Sequence, residues 1–189
     1  MRTCRTSAFL KPASDKTKYI EDAIYYRDQF YFVDSSGALF VCELNDLHHD
    51  PPKAVLVAPS PCSTIEHAYD YDKVFHLVEL LSGELLLAKK LRKYTKNELY
   101  IYTVGFSTYK MNPLVELKWM EVHNLCGDTV YLDKYSSLSL MGSQFPECNP
   151  NCIYFIETGY FYVDGWSEIT VHNDDDESGS RPYYVGVSK

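Results

Sequence analysis

The sequence contains no apolar run approaching the ~20 residues of a membrane-spanning helix, so no membrane partner is expected. It is short of positive charge: 18 Lys and Arg stand against 26 Asp and Glu, a formal net charge of −8. A field of that sign repels a phosphate backbone, which argues against nucleic acid as a partner. No Gly-x-Gly-x-x-Gly, P-loop or Gly-x-Ser-x-Gly segment is present, which removes the local signatures of dinucleotide binding, nucleotide hydrolysis and the hydrolase nucleophile elbow. Amphipathic helical stretches of three turns or more are also missing. The opening segment, Met1 to Lys18, has Arg2, Arg5 and Lys11 but only a short apolar stretch at Ala8–Leu10. It lacks the apolar core of a secretory signal, so a cytoplasmic or nuclear protein is expected. The absence of acids before Asp15 leaves an organellar transit peptide as the alternative.

What the sequence has in quantity is tyrosine, 17 in 189 residues. Tyrosine suits strands, and it also suits binding surfaces, where it joins a large apolar area to a hydroxyl. The dominant period is two. Phe30–Val33, a turn at Asp34-Ser-Ser-Gly37 and Ala38–Leu44 read as strand, turn, strand, with the glycine supplying a positive φ. The same shape recurs at Val74–Leu80 and Glu84–Lys90 around Leu81-Ser82-Gly83. It recurs again at Thr129–Asp133 with Ser137–Gly142, and at Cys152–Ile156 with Tyr160–Asp164. Further strands are expected at Leu99–Tyr109, Leu114–Val122, Glu168–His172 and Tyr183–Val187. The first two hairpins start about 45 residues apart, near the period of a propeller blade. An irregular segment over 1–18 followed by one domain over 19–189 is expected. Its fold class is all-β, a sandwich or a propeller.

Each candidate for chemistry has a plainer structural reading. Cys148 and Cys152 lie four apart, but no second Cys/His pair sits nearby at zinc-ligand spacing. The six cysteines, at 4, 42, 62, 126, 148 and 152, are scattered and read as free thiols in a reducing compartment. His48-His49-Asp50 precedes two prolines and reads as an exposed turn. His67, His76 and His123 stand singly among strand residues, where a histidine is usually held by hydrogen bonds. Asp174–Glu177 lacks the alternation and glycine of a calcium loop and reads as a solvated acidic run. Lys89, Lys90, Arg92 and Lys93 form the one basic cluster. Strand alternation would split it between two faces, and a solvated sheet edge is expected there. No catalytic, cofactor-binding or metal-binding residue is assigned, and no enzyme is expected. The aromatics at Tyr25-Tyr26, Phe30-Tyr31-Phe32, Tyr69, Tyr71, Tyr160-Phe161-Tyr162 and Tyr183-Tyr184 should divide between core and interface anchors.

An ordered series of segments carries a family resemblance. Tyr19–Ile24, Phe30–Asp34, Gly37 and Leu39–Leu44 come first, followed by Leu77–Glu79 and Ser82–Leu87. Next come Lys118-Trp-Met-Glu-Val122, Leu125, Gly127-Asp128, Tyr131-Leu132 and Ser136-Ser137. Phe145-Pro146, Cys148, Asn151–Phe155, Ile169–Asn173 and Glu177–Tyr184 complete the series. Together they resemble the plant F-box-associated propeller family, also known as domain of unknown function 295. The resemblance implies a partial β-propeller of three to four antiparallel blades, with an open ring as one outcome. It also implies a non-catalytic module that recognises a target protein for a ubiquitin ligase. The family's F-box, which docks on the Skp1 adaptor, has no counterpart in these residues. Direct Skp1 binding is therefore not expected, and a role as competitor or regulator follows. The alternative is a structural remnant stable only as an oligomer, self-associating through open sheet edges. Within the resemblance, Trp119 is placed to wedge between neighbouring sheets, and Cys148 and Cys152 to serve structure.

Overall fold

A computed structural model describes residues 19–44, 52–61, 71–94, 101–112, 118–133, 136–145, 147–157, 169–172 and 183–188. Thirteen strands in three sheets account for most of them, with a single 3-10 turn at Gly142–Gln144. The first sheet is a meander of β1 (Ile20–Tyr26), β2 (Gln29–Asp34), β3 (Leu39–Glu43) and β4 (Lys53–Ala58). The second repeats the pattern with β5 (Tyr71–Glu79), β6 (Leu85–Tyr94), β7 (Ile101–Asn112) and β8 (Lys118–Val122). The third comprises β9 (Asp128–Leu132), β10 (Ser137–Met141), β11 (Cys152–Glu157), β12 (Ile169–His172) and β13 (Tyr183–Ser188), in the order β10-β9-β11-β13-β12.

The alternation of side chains explains how the sheets stack. On the second sheet, Phe75, Leu77, Leu85, Leu87 and Tyr109 point one way and pack with Tyr26, Val33, Leu39 and Ala58 of the first sheet. Val78, Leu80, Leu86, Ala88 and Phe106 point the other way, onto Val130, Leu132, Ile153 and Phe155 of the third. A strand buried on both faces reads as a continuous apolar run, and Leu85-Leu-Leu-Ala88 is that run. The second sheet is thus the middle layer between two cores. β5 is its inner strand, packed on β1 on one side and β10 on the other.

Two turns show how tightly the layers meet. Gly37, at φ +86°, lies against the Phe75 ring, and a β-carbon built there would come within 2.7 Å of it. The Asp34 carboxylate holds the same turn by accepting the backbone N–H groups of Ser36 and Ala38 at 2.9 and 3.0 Å. Trp119, on the outer strand β8, packs against the core shared by the first two sheets, as the resemblance implied.

The basic cluster is not where charge alone would put it. β6 is hydrogen-bonded to β5 and β7, so Lys89, Lys90, Arg92 and Lys93 lie on an interior strand rather than a sheet edge. Lys89 and Lys90 are buried, and Arg92 and Lys93 half-buried. The expected split between faces does occur. The Lys89 ammonium lies 5.8 Å from the Tyr109 ring centre and the Lys90 ammonium 4.5 Å from that of Phe155. Long aliphatic stems and ring faces let both charges sit between sheets. The third sheet also departs from a pure meander. β11 runs parallel to both β9 and β13, so its neighbours in the sheet are not its neighbours in sequence. The hairpin partner expected for it, Tyr160–Asp164, lies outside the described residues.

Candidate interaction surface

The C-terminal ends of the three inner strands gather at one rim. The β1–β2 connection is two residues, Arg27 and Asp28, both with positive φ (46° and 61°), as a hairpin turn matched to strand twist requires. The Tyr26 hydroxyl, at the end of β1, donates to the Gly83 carbonyl in the β5–β6 turn at 2.8 Å. The Arg27 guanidinium lies 5.0 Å from the Tyr26 ring centre and reaches the same carbonyl at 3.4 Å. In the β5–β6 turn, the Leu81 N–H donates to the Asp128 carboxylate, 2.9 Å away at the start of β9. That carboxylate also accepts the Ser139 hydroxyl at 2.9 Å. The loop into β9 is fixed in turn, with the Gly127 N–H on the Asn151 side-chain oxygen and the Asn151 N–H on the Asp128 carbonyl.

Turns of three sheets are therefore joined by direct hydrogen bonds, and such a rim presents its exposed side chains in fixed positions. Arg27, Asp28, Leu81, Ser82, Glu84 and Cys126 are exposed there, and Leu81 is a large apolar side chain with 53% of its surface open. Glu84 accepts from the Lys110 ammonium and the Ser82 hydroxyl, both at 2.8 Å, and these bonds hold its carboxyl below the usual range. Loops carried on a rigid scaffold, mixing an apolar anchor with charges of both signs, suit recognition of a protein surface.

The opposite end of the inner strands is acidic and tied to structure. The Asp22 carboxylate accepts the Leu77 N–H at 2.7 Å, joining the first sheet to the second, and burial raises its pKa against that bond. Burial, with Asp72, Asp22 and Asp34 nearby, also raises Glu21, while Arg92 opposes the rise. Arg92 is itself paired with Asp72.

Of the residues singled out in the sequence, His76 is buried between the second and third sheets. Burial and the positive charges of Lys90 and Arg92 push its imidazole down to about 4, with Asp133 pulling the other way. His123 is exposed at the end of β8. Cys42, Cys126, Cys148 and the buried Cys152 form no disulfide among the described residues, and Cys148 meets the Tyr131 hydroxyl at 2.6 Å. Burial first and this contact second raise the Tyr131 pKa. No cluster of three metal-ligating side chains occurs among the described residues. His48-His49-Asp50, His67, Tyr69, Tyr160–Tyr162, Asp174–Glu177, Cys4 and Cys62 lie outside the described residues. No described helix is long and apolar enough to cross a membrane. The rim was not foreseen. The pair Arg27-Asp28 lacks the glycine or asparagine that marks tight turns; the available signal was its place between two aromatic, period-two runs.

Sheets stacked face on face about facing inner strands, with their turns gathered at one rim, define a propeller-type interaction scaffold. A family model described as the KIB1-4 β-propeller matches residues 2–183, and the chain belongs to that family. Among curated proteins it is similar to F-box protein At2g26160 of Arabidopsis thaliana, 30% identical over 141 residues, covering 72% of this chain and 39% of that protein. It is also similar to the Arabidopsis protein named "Putative F-box protein At3g25750", 31% identical over 159 residues, covering 83% of this chain and 40% of the relative. The chain spans about two fifths of the length of these relatives. No solved structure matches it.

Proposed function

We propose that this chain is a non-catalytic protein-recognition module that engages a target protein through the rim formed by the Tyr26–Gln29, Leu80–Leu85 and Leu125–Asp128 turns. The observation that carries the reading is the direct bonding of those turns to one another, Tyr26 to Gly83 and Leu81 to Asp128. It fixes the surface before a partner arrives and lowers the ordering cost of binding. Family membership and the F-box proteins among the relatives support a role in presenting a target to a ubiquitin ligase. In this reading the sheets bind the target and do not themselves contact Skp1. The partner's chemistry follows from the rim: an apolar pocket for Leu81, with acidic and basic groups placed against Arg27 and Asp28.

The test is quantitative capture from Arabidopsis extract on immobilised wild-type chain, on Leu81→Asp/Arg27→Glu and on a control, Glu121→Lys, on the outer strand β8. One or more proteins should be retained by wild type and control and lost at least tenfold by the rim variant. Equal capture by all three would refute the rim as the binding surface. Purified Skp1 is expected to show no complex with the chain, and a stoichiometric complex would contradict the division of roles.

A further inference from the structure

The β1–β2 hairpin carries an aromatic pair just beneath its turn, on the face opposite the buried Tyr26. Tyr25 and Phe30 are cross-strand partners, and their ring centres lie 5.0 Å apart with 58° between the planes. Such a pair steadies a hairpin in its own right. Both side chains nevertheless stay open to solvent, Tyr25 at 57% and Phe30 at 48%.

A carboxylate stands beside the rings. The exposed Asp28 accepts the Tyr25 hydroxyl at 3.4 Å. It takes no part in the ion pairs Arg92–Asp72 and Lys110–Glu84. The adjacent cation, Arg27, is committed to the other face of the hairpin, 5.0 Å from the Tyr26 ring centre and on the Gly83 carbonyl. Ring faces attract cations, and a carboxylate next to them adds a charge-assisted hydrogen bond. A cation on a long aliphatic stem gains further by laying that stem along the rings. The chain uses the same chemistry internally, with Lys89 5.8 Å from the Tyr109 ring centre and Lys90 4.5 Å from that of Phe155. Its net charge of −8 draws partners of the same positive sign.

We propose that the Tyr25–Phe30 pair and the Asp28 carboxylate receive one basic side chain, arginine or lysine, of the target protein. Arginine is the better fit, because its planar guanidinium stacks on a ring while its N–H groups meet the carboxylate. The site rests on the rim as the target-binding surface and names the charge that the target brings to it.

Proton NMR of the full chain, with N-acetyl-arginine methylamide as the probe, tests the site without the target and so apart from the rim reading. Saturable shifts of the Tyr25 and Phe30 ring signals are expected, with a Kd in the millimolar range. The corresponding norleucine probe keeps a stem and lacks the charge, and it should bind about threefold more weakly or worse. Asp28→Asn removes the charge with a residue that tolerates the positive φ of 61°, and it should weaken arginine binding by about threefold or more. Tyr25→Ser/Phe30→Ser should abolish the shifts at the turn, with an unchanged circular dichroism spectrum as the fold check; Asp28→Asn carries the test if that variant fails to fold. No saturable shift with arginine, or equal binding of arginine and norleucine, would overturn the proposal. Ring shifts that follow protein concentration without any probe would mark a second copy as the occupant and overturn it too. In capture from Arabidopsis extract, Asp28→Asn should retain the target about threefold less than wild type. Loss in Leu81→Asp/Arg27→Glu with none in Asp28→Asn would overturn the basic side-chain site and leave the rim standing.

Discussion

Lowering the pH from 7 to 5 should destabilise this protein through one side chain, His76. The imidazole is buried between the second and third sheets, and burial with Lys90 and Arg92 lowers its pKa from an ordinary 6.5 to about 4. Between those values the unfolded chain binds a proton that the folded chain excludes, so stability rises with pH across that window. The favourable contribution is fully present above pH 6.5 and is lost as the pH falls toward 4. Each pH unit of separation is worth about 1.36 kcal/mol, which sets a ceiling of about 3 kcal/mol. By pH 5 the loss should reach about 2 kcal/mol. Urea unfolding at both pH values, on wild type and on His76→Gln, isolates the effect. Glu21 and Asp22, raised by burial, contribute with the opposite sign: falling pH stabilises the fold through them, and they are common to both proteins. Wild type should lose about 2 kcal/mol more than His76→Gln between pH 7 and 5. Lys90→Met, by removing one of the repelling charges, should move the His76 midpoint upward without restoring it fully, since burial is the larger cause. Equal losses in wild type and His76→Gln, or an NMR titration of His76 centred near its ordinary value, would refute the reasoning.

Other substitutions probe the remaining contacts between sheets, each read by denaturant unfolding. Tyr26→Phe removes the hydroxyl from the Gly83 carbonyl and should cost about 1 kcal/mol. Asp128→Ala leaves the Leu81 N–H and the Ser139 hydroxyl without their shared acceptor and should cost about 1–3 kcal/mol. Leu87→Ala and Ile153→Ala, each fully buried but in different cores, should each cost about 2–5 kcal/mol. They should also add when combined, because they lie on opposite sides of the middle sheet.

Much of the architecture was legible because strands announce themselves through period two and glycine turns. Gly37 adopts the positive φ expected of it, and Gly83 and Gly127 share that conformation. β1 was harder to read as a strand, because consecutive acids at Glu21 and Asp22 break its alternation. The structure places a register irregularity at that point and uses Asp22 to bond the next sheet. β4 was hidden by the histidine- and proline-rich stretch before it, although Ala54-Val-Leu-Val-Ala58 carries an apolar run of its own. Charge misled at β6: Lys89 and Lys90 read as solvent-facing, while hydrogen bonding on both sides of the strand forces them between sheets. Pairing order in the third sheet depends on contacts distant in sequence, and local pattern carries no information on whether β11 runs parallel to β9. The rim escaped for the same reason, since its defining bonds join residues about 50 apart in the chain, Tyr26 with Gly83 and Leu81 with Asp128.

The central claim is that the sheets stack face on face as blades, and the Gly37–Phe75 contact reports on it most directly. A double-mutant cycle of Gly37→Ala and Phe75→Leu, read by equilibrium unfolding, measures whether the first sheet's turn rests on the second sheet's ring. Gly37→Ala alone combines an unfavourable positive φ with overlap on the ring, for about 2–4 kcal/mol. In the Phe75→Leu background the overlap should be relieved and about 1 kcal/mol should remain, a coupling of at least ~1 kcal/mol. Effects that add to within ~0.5 kcal/mol would mean that the two residues do not touch, and the stacked arrangement would be contradicted.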